Sequence, residues 1–189
     1  MILSSKKVLE LCESMKLLEN LDERESYPEG VGIDIRVGEV YRLRGEGFLG
    51  RTDRKSPDIE KIADIAKGDR EIVINPHDYV LVKTMEKVNL PATKVSIDGG
   101  EPRYLMADVH PRSTLQRCGL YLMATKTDPG YAGELTFALT NLSNVPFRLE
   151  LGARIANIVF HQVVGEIARA YEGQWKGGRV ATGGTEKQV

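Results

Sequence analysis

The stretch Thr125–Asn141, TKTDPGYAGELTFALTN, decides how the rest of the chain is read. Pro129 presets φ and Gly130 accepts a positive φ, so Asp128 to Tyr131 is predicted to form a type II turn. Leu135, Phe137 and Leu139 then alternate with Thr136, Ala138 and Thr140, the period of two expected of a half-buried strand. The stretch reads as strand, tight turn, strand. Two of its residues have a double reading. Asp128 is an ordinary opener of a turn, and also a carboxylate held on a corner. Ala138 is an ordinary strand residue, and also a place where a functional side chain is absent.

The same pattern continues on both sides. After Arg70 come EIVI, YVLVK, TKVSI, RYLMADV, LYLMA, PFRLEL and RIANIVFHQVV, separated by turn-rich runs such as NPHD, NLPA, DGGEP and LGA. Many short strands with regular turn signals predict a mainly β chain folded as a sandwich or closed barrel. Upstream, GVGIDIRVGEVYRL places Ile33, Ile35 and Val37 on one face and Asp34 and Arg36 on the other. Val8, Leu11, Cys12, Met15 and Leu18 fall at helical spacing, which predicts an N-terminal helix over residues 5–18 with Ser4 or Ser5 as its cap. Residues 45–70 read as an insertion. Its glycine-rich basic start is a loop, and Ser56-Pro57 opens a short inserted helix that Gly68 ends. Residues 1–172 make one domain, and 173–189 make a glycine-rich tail with no apolar period.

Composition narrows the function. The formal net charge is −1, which argues against a dedicated nucleic-acid binder. Cys12 and Cys118 lie far apart without metal-like spacing, so they are read as reduced thiols. The first residues show no signal-peptide core and no apolar run approaches a membrane span. The expected location is the cytoplasm, with no membrane partner.

Several residue groups carry candidate chemistry. Arg112 offers a bidentate fork for phosphate and Ser113 a hydroxyl donor. Gly152, Arg154 and Asn157 fit a turn and edge strand as well as a ligand contact. Asp34 fits a solvent-facing charge as well as a ligand. Trp175, the single tryptophan, stands in the glycine-rich tail, where an aromatic suits a lid that stacks on something flat.

The order of these pieces carries a resemblance. GIDIRVG, PRSTL, TDPGYAGEL, GARIANI and a glycine-rich aromatic tail follow one another as in the dUTPase superfamily. MILSSKKVLELCESMKLL and INPHDYVLVKTMEKVNLP resemble its dCTP deaminase branch, and the likeness spans nearly the whole chain outside residues 45–70. It implies a distorted β-barrel or jelly-roll, assembled as a homotrimer with active sites between subunits. It implies that Asp128 holds the sugar 3′-hydroxyl and activates water, and that Tyr131 packs under the deoxyribose. Backbone groups of Leu120–Thr127 would read uracil, with Thr125 and Lys126 at the tip of that segment. Arg112, Ser113 and Asn157 would bind phosphates, and Arg117 is a deaminase-like feature beside them. Asp34 would hold Mg²⁺ through water, since that ion prefers oxygen ligands and keeps several waters. Trp175 would stack on the base, with Lys176 and Arg179 on the triphosphate.

The branch also fixes which reaction to expect. Its deaminases carry a glutamate in the strand after the turn, and aligning GELTFALTN on that pattern puts Ala138 in its place. Glu134 lies four residues earlier, roughly 13 Å along an extended strand. The expected reaction is therefore hydrolysis of dUTP to dUMP and pyrophosphate. Deamination of dCTP, alone or with dUTP hydrolysis, and a catalytically silent nucleotide sensor are the alternatives.

Overall fold

The computed structural model describes residues 1–188. Helix α1 runs Ser5–Met15. Its N-cap is Ser4, whose side chain accepts from the Lys7 N–H at 3.3 Å. The helix stops three residues short of the predicted end, because Lys16 turns into the left-handed region at φ 55°. Leu18 instead starts a strand.

Thirteen strands follow in chain order: β1 (Leu18–Glu19), β2 (Gly32–Arg44), β3 (Phe48–Leu49), β4 (Asp53–Lys55), β5 (Asp58–Asp64), β6 (Glu71–Ile74), β7 (Tyr79–Asn89), β8 (Tyr104–Pro111), β9 (Leu120–Met123), β10 (Ala132–Asn141), β11 (Phe147–Glu150), β12 (Arg154–Val163) and β13 (Glu186–Lys187). One short helix, α2 (Ser113–Arg117), sits between β8 and β9. The main sheet runs β8-β12-β2-β7-β10-β9, with β5 also on β2 and β1 on β7. A bridge between Ala107 of β8 and Thr127 brings its two edges together, so the sheet nearly closes on itself. This is the expected distorted barrel. Ile33, Ile35, Val82, Leu105, Leu139, Ile155, Ile158 and Phe160 are among the buried side chains that fill it.

Three parts differ from the sequence reading. The inserted helix is strand β5, paired with β2 from Glu39↔Asp64 to Arg44↔Asp58, and only Ile65–Lys67 makes one 3₁₀ turn. Tertiary pairing with an open strand edge overrides a helix-like apolar spacing. The run TKVSI is no strand either. It has a single bridge, Val95↔Arg103, because the DGGEP turn returns the chain at once. The glycine-rich start of the insertion, read as loop, forms the hairpin β3–β4, which β13 from the tail extends to three strands.

From Gly32 to Tyr41 strand β2 is buried or half-buried on both faces, so Asp34 and Arg36 sit largely inside. Arg36 meets this by pairing with Glu86 of β7. Its Nε donates to Oε1 at 2.6 Å and its main-chain N–H to Oε2 at 2.7 Å. Its Nη1 reaches Asp22 at 2.9 Å. Burial pushes the Glu86 carboxyl above its usual range, and the Arg36 contacts pull against it. Among the described residues no helix is long and apolar enough to cross a membrane.

Removing one partner of such a pair leaves an uncompensated buried charge. Arg36→Met is expected to cost about 3–5 kcal/mol in urea unfolding. The double variant Arg36→Met, Glu86→Leu should recover most of that loss. Equal losses in the single and double variants would contradict this role.

Candidate active site

The turn that opened the sequence is built as read. The Tyr131 N–H donates to the Asp128 carbonyl at 3.1 Å, and Gly130 has φ 94°. Thr127, just before it, is clamped to β8 by two main-chain hydrogen bonds with Ala107, at 2.7 and 3.0 Å. After the turn β10 slips register against β7 between Glu134 and Thr136. Thr84 repairs the slip: its hydroxyl accepts from the Leu135 N–H at 2.9 Å and donates to the Glu86 carbonyl at 2.8 Å. The corner bearing Asp128 is therefore fixed on both sides.

Above this corner lies a cavity of about 430 Å³. Thr125, Lys126, Asp128, Tyr131, Trp175 and Arg179 line it, with Tyr171, Thr136, Phe137 and Leu81 among its other walls. Asp128 is the one carboxylate among the described residues lining it. It pairs with Lys126. Tyr131 is nearly buried and its hydroxyl donates to the Glu134 carbonyl at 2.6 Å. Burial, the largest cause, raises its pKa, so the phenol stays neutral and offers a ring face. Ala138 supplies no ionisable group. Glu134, on the same face of β10, faces Lys83 at 3.5 Å and Lys87 at 3.9 Å.

The tail lies over the hairpin of its own chain. The Tyr171 N–H donates to the Pro129 carbonyl at 2.7 Å and the Gly177 N–H to the Ala132 carbonyl at 2.6 Å. The Tyr131 and Tyr171 rings sit 5.7 Å apart in a tilted arrangement. A Cβ on Gly133, whose φ is 136°, would stand 2.7 Å from the Gly177 carbonyl carbon and closer still to Gly178 N. Farther on, Thr182 and Ser56 exchange hydrogen bonds, from Ser56 N–H to the threonine hydroxyl at 3.0 Å and from Thr182 N–H to the serine hydroxyl at 2.8 Å. Arg179 points to Glu186 at 2.9 Å. Lys176 is exposed and outside the cavity lining.

The remaining candidates gather elsewhere. Asp34 is 8% exposed and pairs with Arg112, with Arg154 at 3.2 Å and with the Asn157 amide at 2.9 Å. Buried Glu25 completes the group, accepting from the Asp34 N–H at 3.1 Å and facing Arg154 at 3.3 Å. Two carboxylates thus balance two guanidiniums. Arg112 and Arg154 also line a cavity of about 520 Å³ together with Arg24 and Arg36, against Asp22 and Glu150. The two cavities have no lining residue in common. Ser113 and Arg117, both exposed on α2, line neither.

The Mg²⁺ role expected of Asp34 does not fit this arrangement. Both its oxygens already meet cationic or amide donors, and two neighbouring guanidiniums disfavour a further cation. Among the described residues no group of three or more His, Cys, Asp or Glu is placed to hold a metal. Sequence reasoning missed Tyr171 and Glu25. An aromatic four residues before Trp175 was the available signal for the first.

The family model for dCTP deaminase-like proteins matches residues 2–163, and the chain belongs to that family. A dCTP deaminase, dUMP-forming, of Persephonella marina is 30% identical, covering 96% of this chain and 95% of its own. A second, of Dictyoglomus turgidum, is 29% identical over 90% and 85%. Among solved structures, the 2′-deoxycytidine 5′-triphosphate deaminase of Agrobacterium tumefaciens superposes with a TM-score of 0.61 at 18% identity, over 84% of this chain and 46% of that longer one. That likeness supports the fold alone.

The contact at Gly133 makes a direct prediction. Gly133→Ala introduces about 1–2 kcal/mol of strain at positive φ and pushes the tail off the hairpin. Trypsin should then cut at Lys176 and Arg179 roughly fivefold to thirtyfold faster, with the circular dichroism spectrum unchanged. Wild-type cleavage rates would contradict the packing.

Proposed function

We propose that the chain acts on a pyrimidine deoxynucleoside triphosphate and hydrolyses dUTP to dUMP and pyrophosphate. One observation carries this reading: the cavity over the turn offers a single carboxylate, Asp128, while Ala138 stands in the sequence at the place where the resemblance to deaminases calls for a glutamate. In the proposed step Asp128 accepts a proton from water as its oxygen attacks the α-phosphorus. The bond from that phosphorus to the bridging oxygen breaks, and pyrophosphate leaves. Without substrate Lys126 holds the Asp128 charge. A triphosphate competes for Lys126 and frees the base. Tyr131 supports the deoxyribose with its ring, and Trp175 stacks on the base as residues 173–189 close over the site as a lid.

The Arg112 cavity suits phosphates, yet lies apart from Asp128 within one chain. A homotrimer in which one copy brings Asp128 and its neighbour brings Arg112, Ser113 and Asn157 joins the two. No step is assigned to Mg²⁺. A reaction on free deoxynucleotides puts the protein in the cytoplasm.

A second reading has its own support. The relatives are named dCTP deaminases, and those of Persephonella marina and Dictyoglomus turgidum are named dUMP-forming. Deamination needs a group that shuttles protons at the ring, a contribution of about 10²–10⁴ in rate, and Glu134 is the nearest carboxylate along β10. The two readings separate in one assay. Purified protein given dUTP and dCTP in turn should release pyrophosphate from dUTP and no ammonia from dCTP. Stoichiometric ammonia from dCTP would replace the first reading with the second. Turnover of neither would leave a binding protein.

A further inference from the structure

We propose that Arg54 and Arg169 form a polyphosphate subsite beside Asp128, one that takes the leaving pyrophosphate end of the nucleotide. The proposal deepens the hydrolysis reading and rests on it for the identity of the ligand.

A second cavity, of about 500 Å³, adjoins the one over the turn. Asp128, Tyr171 and Trp175 line both, so the two spaces meet at the base of the proposed reaction. Arg54 and Arg169 line this second cavity, with Glu172 as its other acid. Arg54 stands on β4, the middle strand of the small β13-β4-β3 sheet, so its backbone is held from both sides. Its side chain is 13% exposed. Its Nε and Nη2 are buried and find no hydrogen-bond partner among the described residues. Its Nε forms a long ion pair, at 3.7 Å, with a Glu186 oxygen that is itself buried without a hydrogen-bond partner among the described residues, and the other Glu186 oxygen serves Arg179 at 2.9 Å.

A buried guanidinium with unmade hydrogen bonds is costly to keep. Arg54 also lines the cavity, and a small turn of its side chain would offer a planar fork to an anion with oxygens on adjacent phosphorus atoms. Arg169 is exposed and contributes its charge across the same space. The chemistry expected next to a base at the α-phosphorus is the pyrophosphate that leaves from it. The segment at residues 45–70 thereby acquires a task. It carries Arg54 to the site, and the tail strand β13 locks it there.

Inorganic pyrophosphate is the probe, titrated by calorimetry into the full-length protein, with dUMP as a parallel titration. Arg54→Gln and Arg169→Gln are each expected to weaken pyrophosphate at least about tenfold, since charge-assisted bonds are lost. Affinity for dUMP should stay within about twofold of wild type. Arg169→Gln, on an exposed side chain, keeps the test open if Arg54→Gln unfolds. Wild-type pyrophosphate affinity in both variants, or in Arg169→Gln alone if Arg54→Gln unfolds, would overturn the subsite. A drop in Arg54→Gln matched by an equal drop in dUMP affinity would also overturn it. Absence of dUTP turnover would count against hydrolysis only, because pyrophosphate binding is read without chemistry.

Discussion

Strand β2 has to carry charges through a region closed to water, and the rest of the structure is arranged around that constraint. It pairs with β5, β7 and β12 along its edges, and side chains from Gly32 to Tyr41 on both faces are buried or half-buried. Arg36 is answered by Glu86 from β7 and Asp22 from the loop before it. Asp34 is answered by Arg112, Arg154 and Asn157, with Glu25 closing the group. Each answer fixes a remote segment. The Glu86 pair holds β2 against β7, and through Thr84 it reaches the register slip in β10 that follows the Asp128 turn. The Asp34 group draws the start of α2 against β12. A buried ion group is weak evidence for stability, but it specifies register well when every member is satisfied.

The second organising contact is the approach of the tail to the turn. Gly133 and Gly178 let two backbones meet where any Cβ would collide. That approach lays Tyr171 on Tyr131 and brings Trp175 over Asp128. The end of the tail then completes the small sheet of the insertion. Turn, tail and insertion are thus three separate stretches of sequence that form one wall, and the Arg54 cavity lies where they join.

Much of the barrel was legible because its strands alternate and its turns carry Pro, Gly and Asp. The Asp128 turn could be read to the residue. The failures share a cause. β5 has helix-like apolar spacing but fills an open edge of β2, and only the tertiary partner reveals that. TKVSI has strand composition, yet its turn leaves no room for a partner. Asp34 and Arg36 look solvent-facing in an alternating pattern, because that pattern does not say whether the second face is also covered. In the site, residues adjacent in sequence order were grouped correctly, as with Thr125 to Tyr131. What the sequence hid was the division of the candidates into two cavities, and the use of Arg54 and Tyr171, whose partners are far along the chain.

That division is the central claim, since Asp128 and Arg112 serve one reaction only if they come from different copies. Inactive Asp128→Asn and Arg112→Gln chains, mixed in equal amounts and allowed to exchange subunits, test it directly. Random pairing should leave about a quarter of the shared sites with both native residues. Recovery of turnover on dUTP towards that fraction is the predicted result. A mixture as inactive as either parent, after subunit exchange has been verified by mass, would contradict a site shared between chains.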